Sequence, residues 1–124
     1  MSDVVKKYFF LTYYLTIIFL SINNFNIKEL REFYFFFDDK DKIMHFSQYF
    51  ILVILALFTF RIDINIKNFL VFCLLIMISS GMAEFAQLYL PTRDSSYIDW
   101  SYDILGGACG FFFFAGINRL CYKN

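Results

Sequence analysis

Four long apolar stretches, separated by polar segments, dominate the pattern of hydrophobic and polar positions along the chain. They cover about residues 8–25, 43–60, 68–90 and 97–117. Each is close to the ~20 residues that a helix needs to cross the ~30 Å hydrocarbon core of a bilayer. Backbone groups in lipid must be satisfied within the segment, and these runs lack the strict alternation of a membrane β-barrel. The pattern predicts an all-α membrane protein, a four-helix transmembrane bundle that forms one domain over residues 1–124.

The connections between the apolar stretches differ in length. Residues 61–67 and 91–96 are short enough to be tight turns, which makes helices two, three and four antiparallel neighbours. The longer connection, residues 23–42, has apolar residues at helical spacing, and Asn26 followed by Glu29 resembles a capping box. We expect either a helix in the membrane interface between helices one and two, or an aromatic-rich interfacial loop.

Composition narrows the class of protein. Hydrophobic residues make up 60% of the 124 residues, aromatic residues 23% and charged residues only 18%. A water-soluble chain of this length could not bury so much apolar surface in one core. Lys and Arg (11) balance Asp and Glu (11), so no basic field attracts nucleic acid. These values exclude an ordinary soluble enzyme domain, a disordered chain and a nucleic-acid-binding protein.

Orientation and processing follow from the charged residues that flank the helices. One side of the membrane collects 6 Lys and Arg residues and the other collects 5, and Lys6 and Lys7 precede the first helix directly. The positive-inside rule then places both termini in the cytoplasm. A small-residue cleavage site does not follow the first apolar run, so we interpret it as an uncleaved anchor. The three cysteines, dispersed along the chain, are expected to be buried packing residues rather than a disulfide framework.

Polar and charged side chains gather at one end of the predicted bundle, where helices two and four begin and helix three ends; we call this the polar end. Charged groups inside membrane segments are costly, so their convergence indicates a binding site. The predicted ligand-binding residues are Asp41, Lys42, His45, Tyr49, Glu84, Gln87, Arg93, Asp99 and Asp103.

Spacing places these residues on helix faces. Asp41, His45 and Tyr49 are four residues apart and share one stripe, as do Asp99 and Asp103. Glu84 lies six residues before the end of helix three, about 9 Å deep at 1.5 Å per residue. A lipid-facing carboxylate at that depth would be expensive, so we expect Glu84 to face the bundle and to meet helix two or the turn that follows helix three.

A small-residue face continues the Asp99–Asp103 stripe along helix four. Gly106 and Gly110 form a G-x-x-x-G motif, which lets two helices approach closely. The same face could join two copies of the chain, so a helix-mediated homo-oligomer is a further prediction.

The order and spacing of these motifs resemble the VanZ-like family of small bacterial membrane proteins. The matching positions are Asp41-Lys42-Ile43-x-His45-Phe46-x-x-Tyr49, Glu84-x-x-Gln87, Pro91-x-Arg93, Asp99, and Gly106 with Gly110. The resemblance covers roughly residues 41–110 and implies a polytopic protein of the bacterial cell envelope, in a family named for teicoplanin resistance. The chain departs from the family pattern at Asp103, where the family generally has Asn. The resemblance implies no specific reaction.

Several functions fit this arrangement. The first is binding of a membrane lipid or a lipid-linked envelope precursor, with Lys42 and Arg93 on phosphate and Glu84, Gln87 and Asp99 on sugar or peptide groups. The second is an intramembrane hydrolase or transferase, whose catalytic candidates are His45, Glu84 and Asp99, with Asp41 or Asp99 orienting the imidazole.

Two weaker hypotheses remain at this stage. A divalent metal held by His45, Glu84, Asp99 and Asp103 is conceivable, but one imidazole with carboxylates is a weak signal, and we predict neither a metal nor a cofactor. A proton or ion pathway would need polar groups deeper in the membrane, and Ser79 and Ser80 are a slender continuation.

Overall fold

The computed structural model describes residues 2–22, 40–89 and 97–121, and for residues 22, 40 and 41 it describes the backbone alone. Within these ranges the chain forms four helices: α1 (Asp3–Ile22), α2 (Lys40–Phe60), α3 (Ile66–Gln87) and α4 (Tyr97–Cys121). All four are long and apolar enough to cross a membrane. The predicted all-α four-helix bundle is therefore confirmed. The expected interfacial helix or loop lies within residues 23–39, outside the described residues.

Large apolar side chains cover much of the outer surface of the bundle. Leu70, Leu74, Leu75 and Phe85 on α3 are all more than half exposed, and α1 and α4 carry similar residues. A soluble monomer does not expose so large an apolar surface, whereas lipid tails solvate it without penalty. The chain is a multi-pass membrane protein.

The closest helix contact joins α2 and α4 through the predicted small-residue face. A Cβ atom added at Gly106 would overlap the backbone carbonyl of Phe46, and one added at Gly110 would lie 2.5 Å from the carbonyl oxygen of Phe50. Both glycines are buried against α2 of the same chain, so neither offers a free surface to a second copy. Association of two copies stays a prediction, but Gly106 and Gly110 are already used within the chain.

The remaining helices pack around this pair. α3 lies against α4, where the Trp100 indole donates to the Met77 carbonyl over 3.2 Å, and α1 lies against α2 and α3. The Tyr13 hydroxyl of α1 donates to the Gln48 carbonyl of α2 over 3.2 Å. The buried apolar core between the helices consists of Ile17, Tyr49, Leu52, Val53, Leu57, Ile76 and Phe111.

A compact turn between α2 and α3 fixes the antiparallel direction of these helices. Arg61 has a φ of 51°, and the Ile62 amide donates to the Leu57 carbonyl over 3.4 Å. This is the Schellman arrangement in which a left-handed residue ends a helix, a position that usually holds Gly. Asn65 then caps α3, because its side chain accepts from the Asn68 amide over 2.9 Å.

Candidate functional site at the polar end

A buried hydrogen bond between α2 and α4 forms the centre of the polar end. His45 Nδ1 and Asp103 Oδ1 lie 2.9 Å apart, and the two residues are only 4% and 2% exposed. His45 lies five residues after the start of α2 and Asp103 six residues after the start of α4, about 8 and 9 Å along each helix. The Asp103 carboxylate fixes the Nδ1 side of the imidazole, which leaves Nε2 for a second interaction.

The close approach of α2 and α4 explains why this pair forms. Asp103 is one turn before Gly106 on the same face of α4, and His45 directly precedes Phe46, whose backbone fills the space above Gly106. Because the glycines bring the two backbones together, short side chains such as Asp can bridge them. The sequence signal for this contact is the i, i+3 spacing of Asp103 and Gly106.

Two further carboxylates surround the imidazole. Asp99 of α4 and Glu84 of α3 are half-buried, and both interact electrostatically with His45. Glu84 interacts electrostatically with His45 of α2, while its expected hydrogen bond or ion pair with helix two or Arg93 stays a prediction. Two helices, α3 and α4, thus contribute acidic groups around the imidazole of α2, and these groups can accept hydrogen bonds from an external donor.

A layer of hydroxyl groups lies one turn deeper and reaches α1. Tyr49 is 3% exposed and lies beside Ser79, whose hydroxyl lies 3.2 Å from the Tyr14 hydroxyl of α1. Ser80 is 1% exposed and lies beside Asp103, but its Oγ has no partner of good hydrogen-bond geometry within the described part of the chain. Polar groups therefore extend farther into the membrane than the sequence pattern indicated.

Gln87 forms a hydrogen bond with the end of α1. Its side-chain amide donates to the backbone carbonyl of Ser21 over 2.7 Å, and the residue is 2% exposed. Ser21 lies in the last turn of α1, where carbonyl groups have no partner within the helix. Gln87 thus joins the end of α1 to the end of α3, a structural role that its sequence position did not reveal.

The structure brings together most of the sequence-predicted residues that it describes. His45, Tyr49, Glu84, Asp99 and Asp103 are close neighbours, and Lys42 is half-buried at the start of α2. Arg93 and the side chain of Asp41 lie outside the described residues. The sequence analysis did not include Tyr14, and it named Ser79 and Ser80 only as a weak continuation of an ion pathway. Spacing along single helices could not pair these residues across helices.

The described side chains of the polar end offer proton-accepting and hydrogen-bonding chemistry. Among the described residues, no three His, Cys, Asp or Glu side chains come close enough to hold a metal ion. The four-ligand hypothesis for His45, Glu84, Asp99 and Asp103 therefore finds no support in this geometry. No family model, curated protein or solved structure matches the chain.

Proposed function

We propose that this protein belongs to the bacterial cell envelope and binds the headgroup of a membrane lipid or of a lipid-linked envelope precursor at its polar end. The observation that carries the proposal is the buried hydrogen bond between His45 and Asp103, with Asp99 and Glu84 beside it. Ionisable groups within membrane helices are costly and are kept mainly where they bind or transfer something.

The depth of the cluster supports a headgroup as the ligand. His45 and Asp103 lie about 8–9 Å inside the ends of their helices, where headgroups give way to acyl chains. A headgroup with phosphate, hydroxyl and amide groups needs both donors and acceptors. The imidazole Nε2 and Lys42 supply donors, while Asp99 and Glu84 supply acceptors.

The resemblance to VanZ-like proteins extends the proposal to glycopeptide tolerance of the teicoplanin type. A ligand at the polar end would link the protein to the composition of the cell surface. The departure at Asp103 is compatible with this role, because the Oδ1 atom of the family's usual Asn can accept the same hydrogen bond from His45 Nδ1.

An intramembrane hydrolase or transferase is the second candidate, and the geometry of the imidazole favours it. A His whose Nδ1 is held by a carboxylate presents Nε2 as a general base, as in hydrolytic triads. The half-buried Glu84 would then serve as the acid. This function and simple binding differ in one respect: catalysis requires Nε2 for a proton transfer after the ligand has bound.

We propose an orientation with both termini in the cytoplasm, from the Lys and Arg distribution. The polar end would then face the outside of the inner membrane. Reporter fusions at Asn124 and within residues 91–96 test this orientation. A cytoplasmic signal from the fusion within residues 91–96 would reverse it and move the proposed site to the inner face.

The decisive variant is His45→Asn. The Asn amide nitrogen can replace Nδ1 as the donor to Asp103, but the shorter side chain has no equivalent of Nε2. His45→Gln is the matched variant, because its longer amide can approach the position of Nε2 without restoring the Nδ1 contact. The probe is a long-chain polyprenyl phosphate, and phosphatidylcholine is the reference lipid.

Native mass spectrometry of the purified full chain measures binding, and expression in a susceptible bacterium measures tolerance. We expect His45→Asn to keep its melting temperature but to bind the polyprenyl phosphate about tenfold more weakly, the loss of one charge-assisted hydrogen bond. Normal binding with lost tolerance would favour the enzyme. Unchanged binding and unchanged tolerance in His45→Asn would show that His45 and Asp103 form a packing contact without a role in binding. If His45→Asn does not fold, Asp99→Asn tests the site from the acceptor side, because it removes one negative charge at the half-buried start of α4 and leaves His45 in place.

A further inference from the structure

A groove of about 360 Å³ lies at the opposite end of the bundle from the polar end, between the start of α3 and the last turns of α4. Its volume falls within the range of small-molecule sites. The side chains that form most of its wall are Ile64, Ile66, Phe69, Phe111, Phe112 and Arg119. It shares none of its lining residues with the His45–Asp103 cluster.

The groove has the shape and polarity of a site for an acyl chain. Phe111 and Arg119 are eight residues apart on α4, so the groove follows the helix for about 12 Å. Gly116 opens its wall, since a Cβ atom at this position would meet nothing within 4 Å. Both helices belong to the membrane-spanning part of the chain, so hydrocarbon rather than water is the natural filling of this aromatic-lined space.

Arg119 is the one charged residue of the lining, and its positive charge favours an anionic ligand. It lies exposed in the last turn of α4, and among the described residues no carboxylate lies within ion-pairing distance of it. Asn65, the other polar side chain of the lining, is already engaged as the cap of α3. The guanidinium can therefore bind a phosphate through two parallel hydrogen bonds.

We infer that this groove binds one phospholipid with an anionic headgroup, with an acyl chain along Phe69, Phe111 and Phe112 and its phosphate on Arg119. This inference does not depend on the function proposed for the polar end, because the two sites lie at opposite ends of the bundle. It adds a second lipid contact of different chemistry: a cation above an apolar groove, instead of an imidazole among carboxylates.

Native mass spectrometry of the purified full chain tests the inference with phosphatidylglycerol and with diacylglycerol of the same acyl chains. We expect wild-type protein to bind phosphatidylglycerol about tenfold more tightly than diacylglycerol, the effect of one charge-assisted hydrogen bond pair. Arg119→Gln should remove this difference. Gly116→Leu should weaken binding of both lipids, because the new side chain enters the groove without straining the backbone.

Lys67→Gln is the matched control, because Lys67 is an exposed cation at the same end of the bundle but outside the groove. It should leave both affinities unchanged. Equal binding of the two lipids by the wild-type chain would overturn the inference. So would a loss of phosphatidylglycerol binding in Lys67→Gln as large as that in Arg119→Gln.

Discussion

Substitution of Gly106 by Ala should separate α2 from α4 and disrupt the polar end without touching a polar atom. The added Cβ would overlap the backbone carbonyl of Phe46, and backbone atoms cannot move aside as a flexible side chain can. At Gly110 the equivalent contact, with the Phe50 carbonyl oxygen, is 2.5 Å, against an ordinary van der Waals contact of 3.4 Å or more. The helices must therefore move apart by about 0.9 Å to accept one methyl group at Gly110, and by more at Gly106.

The energetic cost has two parts. Overpacking of a close contact lowers the free energy of unfolding by about 1–3 kcal/mol. The same displacement stretches the 2.9 Å contact between His45 and Asp103 beyond hydrogen-bond distance, which leaves two buried polar groups unpaired, at about 1–3 kcal/mol. We therefore expect Gly106→Ala to destabilise the bundle by at least about 2 kcal/mol, roughly a thirtyfold change in the folding equilibrium.

Trp100 provides the assay, because it is the one tryptophan of the chain and it packs between α4 and α3. Its fluorescence should follow equilibrium unfolding in mixed detergent micelles of increasing sodium dodecyl sulfate content. Gly116→Ala is the control on the same helix, since its methyl group meets nothing within 4 Å. We expect the unfolding midpoint of Gly116→Ala to stay close to that of the wild-type chain.

The comparison between Gly106→Ala and Gly116→Ala tests the close contact between α2 and α4. Equal midpoints for Gly106→Ala and Gly116→Ala would refute the close α2–α4 contact. A lowered midpoint for Gly106→Ala with unchanged binding at the polar end would instead refute the coupling between the glycine contact and the His45–Asp103 pair.

Substitutions at three other positions test single contacts by the same unfolding assay. Asp103→Asn should be tolerated, because its amide oxygen still accepts from His45, whereas Asp103→Ala should cost about 1–3 kcal/mol for the buried imidazole left unpaired. Gln87→Leu should cost a similar amount, because the Ser21 carbonyl loses its donor; an unchanged midpoint would show that this carbonyl finds another partner. Arg61 has a φ of 51°, which Gly adopts without strain and a β-branched residue does not. Arg61→Gly should therefore stabilise the chain by about 1 kcal/mol, and Arg61→Val should destabilise it. A higher unfolding midpoint for Arg61→Val than for Arg61→Gly would contradict the left-handed helix end.

The helices were predictable because the bilayer imposes their length and hydrogen bonding. The predicted and observed spans of helix four begin at the same residue, Tyr97, and those of helix two end at the same residue, Phe60. The largest difference is at α1, which begins at Asp3 rather than near Tyr8. A helix can continue past the hydrocarbon region, and Asp3 favours the positive end of the helix dipole, so apolar content marks the membrane rather than the helix end.

The site was predictable in outline but not in its pairings. The antiparallel connections place His45, Glu84 and Asp103 at one end of the bundle, which the sequence establishes without side-chain detail. Which carboxylate meets the imidazole depends on helix rotation, and sequence spacing alone left Asp41 and Asp99 as the expected partners. The hydroxyl contact between Tyr14 and Ser79 joins residues 65 positions apart, and a single sequence contains no signal for it.

The separation of His45 and Asp103 along the chain has a consequence for biosynthesis. They are 58 residues apart, and a ribosome that adds about 5–20 residues per second needs roughly 3–12 s to make the intervening segment. During that time α2 is already available to the membrane with an imidazole that lacks its partner. Helix formation itself takes about a microsecond. The pairing of His45 with Asp103 therefore waits for the synthesis of α4, and α2 stays without this partner until then. A ribosome that stalls before α4 would leave the imidazole of α2 in the bilayer without its carboxylate partner, at the cost of an unpaired polar group in hydrocarbon.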